Sequence, residues 1–238
     1  MYVERNKLQQ TKTSEPAGKY VTPTHFRLGS LGGYLTLNEL MAELDSMHLH
    51  YPNLITARQT IDSFETYEGR NIYYVKISDN PEIDENEPEI MYASLTHARE
   101  PMGMQQLIYY MWYLLENYDT DAEIRYLVDN CQMYFAPCVN PDGYRYNQQT
   151  DPNGGGMWRK NRRNVNNTDY GIDLNRNYGY QWGYDNIGSS PSPSSMTYRG
   201  SAPFSEPETL AMKWFAENHN IQLILDYHTY SDVLLYPW

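Results

Sequence analysis

Apolar positions along this chain recur in two rhythms. Leu37, Leu40, Met41, Leu44 and Met47 repeat at helical spacing behind Thr36 and Glu39, which stand as a capping-box pair. A strand-like run follows at 71–77, with Ile72, Val75 and Ile77 as the inward candidates. A second strand at 90–95 ends at Thr96 and His97. Pro101 opens another helix, in which Met104, Leu107, Ile108, Met111, Trp112 and Leu115 share one face. A short helix at 121–130, a strand at 133–136, a helix introduced by a Ser205/Glu208 capping-box pair and a strand at 221–225 complete the pattern. Strands alternating with helices in this way predict an α/β fold whose sheet is covered on both faces.

The polar stretches divide the rest. Residues 1–33 read as a polar lead-in ending in Gly29, Gly32 and Gly33, and 34–238 as one domain. Residues 79–90 read as a solvated acidic loop. Residues 147–200, rich in Asn, Gly, Ser and aromatic side chains, show little periodicity. An irregular segment of that length is uncommon in a compact domain unless it serves a site.

Composition narrows the function classes. With 18 basic and 30 acidic residues the formal charge is −12, which argues against general nucleic-acid binding but leaves room for a local arginine cluster. No apolar run approaches the ~20 residues of a membrane span, and the first ten residues lack the apolar core of a signal peptide. The 24 tyrosines and 5 tryptophans read as an aromatic core with a tyrosine-rich surface. Cys131 and Cys138 flank a strand that would hold them about 23 Å apart, too far for a disulfide, so both are expected as buried free thiols.

Candidate chemistry collects at the strand ends, where ligands gather in α/β sheets. His97, Glu100 and the distant His228 offer two nitrogens and a carboxylate, a donor set that holds Zn²⁺ with a position left open. Arg99, Arg159, Arg162 and Arg176 could receive an anionic substrate. Arg159 is a candidate to stabilise an oxyanion, and Arg176, beside Asn175 and Asn177, to grip a carboxylate. The plainer reading makes Arg159, Lys160, Arg162 and Arg163 a solvated basic patch. Asp173 and Asp226 are both candidates to orient a ligating histidine. Glu208 reads as a helix-capping residue.

The ordered motifs YEGR (67–70), HARE (97–100), NPDGY (140–144), WRKNRR (158–163), DLNRN (173–177), TYRG (197–200), FSEPET (204–209) and HTYSDVLLYPW (228–238) resemble those of the M14 zinc metallocarboxypeptidases, carboxypeptidase A and T type. The resemblance runs from about Gly33 to Trp238. It implies a single α/β domain with a mixed β-sheet flanked by helices, and one Zn²⁺ held by His97, Glu100 and His228. It also implies that Arg159 polarises the scissile carbonyl, that Asn175 and Arg176 anchor a terminal carboxylate, that Arg99 and Tyr230 line the groove, and that Asp173 orients a zinc-binding histidine. The implied substrate is a peptide or protein with a free C-terminal carboxylate, with no nucleic-acid or membrane partner, and the implied location is secreted, periplasmic or extracellular. The family's general-base glutamate, mobile tyrosine and much of its specificity pocket map beyond Trp238, so the catalytic domain is expected to be C-terminally incomplete here. The competing readings are a cell-wall peptide amidase or peptidase using the same chemistry, and a non-catalytic peptide-binding pseudopeptidase.

Overall fold

The computed structural model of the protein describes residues 21–231 and 233–235. The first helix, α1 (Leu37–His50), is capped as its sequence predicts, with Thr36 and Glu39 exchanging side-chain and backbone hydrogen bonds. Then come β1 (Gln59–Glu65), β2 (Asn71–Ile77), β3 (Glu89–Ser94), α2 (Pro101–Asn117), α3 (Ala122–Val128), β4 (Gln132–Ala136), α4 (Pro141–Thr150), α5 (Pro207–Asn218) and β5 (Ile221–Tyr227). A single 3₁₀ turn, Leu174–Arg176, punctuates the long segment between α4 and α5.

The five strands form one mixed sheet in the order β1-β2-β4-β3-β5. The β1–β2 and β2–β4 pairs are antiparallel, whereas β3 runs parallel to both β4 and β5. Every residue of β4 is buried, and its alternation feeds two cores. Met133 and Phe135 pack with Leu40, Leu44, Leu107, Met111 and Trp112 of α1 and α2. Tyr134 and Ala136 face the other way, into a smaller core with Ala211 and Phe215 of α5. The α/β reading therefore holds, with helices on both faces of a mixed sheet. At the β5 edge Leu223 and Ile224 remain 47% and 46% exposed.

Several sequence expectations need correction. β1 escaped notice because it is an outer strand in which Ile61 alone is fully buried, so its pattern is mostly polar. β3 lies one residue earlier than expected: Leu95 adopts φ 53°, which ends the strand before it. NPDGY, to which the pattern assigned no element, opens α4, with Asn140 accepting from the Gly143 N–H and Pro141 in the first turn. Its inward face holds Asn147 and Gln148 as well as Tyr144, so apolar periodicity could not reveal it. The Ser205/Glu208 capping box does not form. α5 begins at Pro207 with Glu206 at the cap position and no side-chain cap, while Ser205 Oγ donates to the Glu206 carboxylate. Cys131 and Cys138 are free as expected, although Cys131 is only partly buried.

Of the lead-in, residues 1–20 lie outside the described residues, as do Asp232 and Tyr236, Pro237 and Trp238 of the last motif. The remainder of the lead-in turns back on itself through Gly29–Gly33 and Leu31–Tyr34 bridges, and Arg27 pairs with the buried Glu43.

Gly143 sits where α4 meets the turn after β3 and the 158–163 segment. A Cβ there would lie 2.6 Å from the Lys160 carbonyl oxygen and 2.8 Å from the Ala98 Cβ. Gly143→Ala is therefore expected to force these backbones apart and cost about 1–3 kcal/mol of stability, read as a lower urea midpoint at unchanged slope. An unchanged midpoint would contradict the close packing described.

Candidate metal centre

Strand register assembles the centre. β3 and β5 pair in parallel with Ser94 opposite Tyr227, so the residues just beyond each strand emerge at the same end of the sheet. His97 and Glu100 lie in the turn from β3 into α2, and His228 directly follows β5. The turn is pinned from behind. The Ala98 N–H donates to the Arg159 carbonyl at 3.0 Å, and Asn147 Nδ2 donates to the carbonyls of Ala98 and Trp158.

Three side chains converge there. His97 Nδ1 and His228 Nδ1 are 3.0 Å apart, and the Glu100 carboxylate reaches each of them at 2.9 Å. The outer ring nitrogens are both engaged by acids: His97 Nε2 lies 3.1 Å from Asp173 Oδ1, and His228 Nε2 3.1 Å from Asp226 Oδ2. Such partners place the ring proton on the outer nitrogen and leave the Nδ1 lone pairs pointing inward. Two inward lone pairs and a carboxylate repel one another unless a proton or a cation lies among them, and their ligand atoms are close enough to share one ion. The donor set fits Zn²⁺, which takes imidazole nitrogen and carboxylate oxygen.

The electrostatics express the same preference. Burial would raise the Glu100 carboxyl, but hydrogen bonds from His228, His97 and the Thr229 N–H outweigh it and hold the group well below the usual range. Burial opposes charge on His228, yet Asp226 and Glu100 together push it up to about 10. His97 and Glu100 are buried, whereas the His228 side chain is 30% exposed and leaves the cluster open on that side.

Arg159 borders the cluster. Its Nε and Nη2 are gripped by Asp173 Oδ2 at 3.2 and 2.8 Å, and its Nη1 stands 3.2 Å from His97 Nδ1. Asp173, fully buried, thus touches both His97 and Arg159, and the net effect of these cations and hydrogen bonds overcomes desolvation to lower its pKa. Asp226 contacts the other histidine, so the two acids divide the orienting role between them. Arg176 is held by backbone carbonyls, Gly188 O through Nε and Asn175 O through Nη1. Asn175 donates its N–H to Asp173. Arg99 lines a cavity of about 170 Å³ beside the cluster, together with Tyr34, Met102, Met157 and Thr229. Tyr230 is 96% exposed and is not brought to the cluster.

The solvated-patch reading of the 158–163 segment does not stand. Lys160 is buried and donates to the Pro193 and Ser195 carbonyls. Arg162 stacks over Tyr146, Trp158 and Tyr170, and Arg163 pairs with buried Glu206. Sequence reasoning gave no structural role to Asn140, Asn147, Asn161 and Asn177, whose buried amides tie the irregular segment together. A long stretch rich in asparagine and poor in periodicity was the available signal.

With known proteins the likeness is broad. The profile of the family described as zinc carboxypeptidase matches residues 40–238. A zinc carboxypeptidase of Saccharothrix mutabilis subsp. capreolus is 36% identical over 210 residues, covering 87% of this chain and 47% of that protein. Carboxypeptidase O of Bos taurus is 38% identical over 73% of this chain and 45% of its own length. The carboxypeptidase A structure from Helicoverpa armigera superposes with a TM-score of 0.72 at 31% identity, over 85% of this chain and 47% of that one. The chain thus spans about half the length of the curated relatives it matches.

Because a proton and a cation compete for the same inward atoms, metal binding is expected to release protons. Calorimetric titration with zinc at pH 7.5 in two buffers of different ionisation enthalpy should give different apparent heats. His228→Ala should weaken zinc at least 10-fold. Equal heats in both buffers, or full affinity in the variant, would count against the arrangement.

Proposed function

The chain belongs to the zinc carboxypeptidase family, and from that membership we propose that the whole protein removes C-terminal residues from peptides by zinc-dependent hydrolysis at this centre. One observation carries the reading: His97, Glu100 and His228 converge with a fixed guanidinium, Arg159, at their edge. A zinc ion held by the three side chains would polarise a carbonyl and lower the pKa of water.

The remaining work falls to the chain's own groups. Arg159 is already oriented by Asp173, so it needs no reorganisation to meet negative charge developing on a substrate oxygen. A donor placed in advance is worth more to the transition state than to the neutral carbonyl. Arg176 forms no ion pair among the described residues, because backbone carbonyls hold it; its charge is available to a substrate carboxylate, with Asn175 alongside. Arg99, in the adjoining cavity, is suited to the backbone carbonyls of a bound peptide. Tyr230, on the exposed turn after β5, is read as part of the groove wall. Asp173 and Asp226 keep the two imidazoles in the tautomer that turns Nδ1 inward.

The carboxypeptidase names of the relatives support this reading over a cell-wall amidase or a peptide-binding pseudopeptidase. A location outside the cytoplasm belongs to the same proposal, supported by the resemblance to secreted carboxypeptidases.

Assay of the whole protein on paired peptides with a free or an amidated C-terminus tests the claim. Amidation is expected to lower kcat/KM about 10–100-fold, the worth of charge-assisted hydrogen bonds to the lost carboxylate. Equal cleavage of both peptides would overturn it. Separately, Arg159→Ala should reduce kcat by about 10²–10³ with a smaller change in KM. A loss confined to KM would remove Arg159 from the transition state.

A further inference from the structure

Two carboxylates with no place in the mechanism lie behind the Arg159 segment. Glu206 and Glu208, at the start of α5, are both 0% exposed. Asn161 Nδ2 donates to both, at 2.8 Å to Glu206 Oε2 and 3.1 Å to Glu208 Oε2. Glu206 Oε1 additionally accepts from Arg163 Nη1 and Ser205 Oγ, each at 2.7 Å. Glu208 faces no cation of its own, and its Oε1 has no hydrogen-bond partner.

The surrounding charges do not help Glu208 ionise. Asp142 approaches from α4, and Tyr67 from the 66–70 turn lies within the field of Glu206 and Glu208. Tyr178 lies beyond the 3₁₀ turn. Arg163 is committed to Glu206, and Arg70 to Asp142 and Glu68. Burial therefore pushes Glu208 up to about 8, against the pull of its own N–H and Asn161, and the Glu206 and Asp142 charges add to the rise.

Asn161 links this pair to the backbone next to Asp173. Its N–H donates to the Ile172 carbonyl at 3.1 Å and its Oδ1 accepts from the Ile172 N–H at 2.8 Å. Its own carbonyl accepts from Trp158 Nε1. Gly171 must be glycine for this contact: its φ is +80°, and a Cβ would lie 2.4 Å from the Asn161 carbonyl oxygen. Ile172 immediately precedes Asp173, which holds His97 and Arg159 together.

We propose that Glu206 and Glu208 are positioning residues, which act through Asn161 to set Asp173 and Arg159 against the metal ligands. The effect on turnover rests on the hydrolytic reading above; the effect on the clamp and on metal binding does not. The clamp thereby imposes an alkaline limit that originates outside the metal ligands.

The sign follows from linkage. The unfolded chain releases the Glu208 proton near 4.5, whereas the folded protein keeps it to about 8. The stability contributed by the raised pKa is complete below 4.5, is lost as pH rises to about 8, and stays lost above it. Glu208→Gln removes this dependence and keeps a neutral group of the same shape.

The test uses the whole protein, Glu208→Gln and Glu208→Ala, with three readouts between pH 5 and 10: thermal midpoint, zinc affinity against a chromophoric chelator, and kcat with KM. The midpoint of Glu208→Gln should gain on the parent from pH 5 to 8 and hold that gain above. Its zinc-affinity and kcat limbs should move at least one pH unit to the alkaline side, with KM following the parent. Glu208→Ala, which lacks the Asn161 acceptor, should lose at least 10-fold in zinc affinity across the range. Failure of Glu208→Ala to fold leaves the Gln comparison decisive. Alkaline limbs of zinc affinity identical in the parent and Glu208→Gln would overturn the proposal, as would a Gln variant indistinguishable from Ala. Absence of peptide cleavage in every protein would sink the hydrolytic reading instead, while the midpoint and zinc profiles would still decide the clamp.

Discussion

Parallel pairing of β3 with β5 is the constraint from which the centre follows. Opposition of Ser94 and Tyr227 places the HARE turn and His228 at one end of the sheet, and a one-residue slip would turn the side chains beyond the strand to the wrong face. Once the two histidines meet, their inward nitrogens and the Glu100 carboxylate form a set of acceptors that a cation satisfies. The outer nitrogens cannot turn inward, because Asp173 and Asp226 hold them. The site is thus pre-organised by groups that need not themselves touch a metal ion.

Around the sheet, apolar packing does the ordinary work: two cores, one on each face, supplied alternately by β4. The site side is built differently. Buried amides and acids fill the space between α4, the 158–163 segment and the start of α5, and the amides of Asn140, Asn147, Asn161 and Asn177 are hydrogen-bonded to backbone. Asn177 shows how far one side chain reaches: its Nδ2 donates to the Arg199 and Ala202 carbonyls and its Oδ1 accepts from Thr209. A segment without regular structure can be rigid when its backbone polar groups are satisfied in this way.

Charge follows the same division. The chain is acidic as a whole, yet the cations near the centre are not spread over a solvated face. Arg159 is fixed by Asp173, Arg162 by aromatic rings and Arg163 by Glu206, so the local field has a direction that net charge does not convey. Arg176 and Arg99 form no ion pair with a carboxylate among the described residues, and Arg176 is held by backbone carbonyls instead.

The sequence by itself determined the elements whose signal is local. Capped α1, the apolar face of α2, the strand runs of β2, β3 and β5, and the identity of the side chains able to bind a metal were all legible, because period, cap and donor chemistry are written in adjacent residues. Edge strand β1 and polar-faced α4 were not, since burial of a polar side chain depends on a partner distant in sequence. Ser205 and Glu208 had the spacing of a cap, but tertiary contacts with Asn177 and Asn161 claimed them. Likewise Arg162 and Arg163 could be read as solvated until Tyr146 and Glu206 were seen beside them. Which acid orients which histidine was decided only by the fold, because hydrogen bonding acts over about 3 Å whatever the distance along the chain.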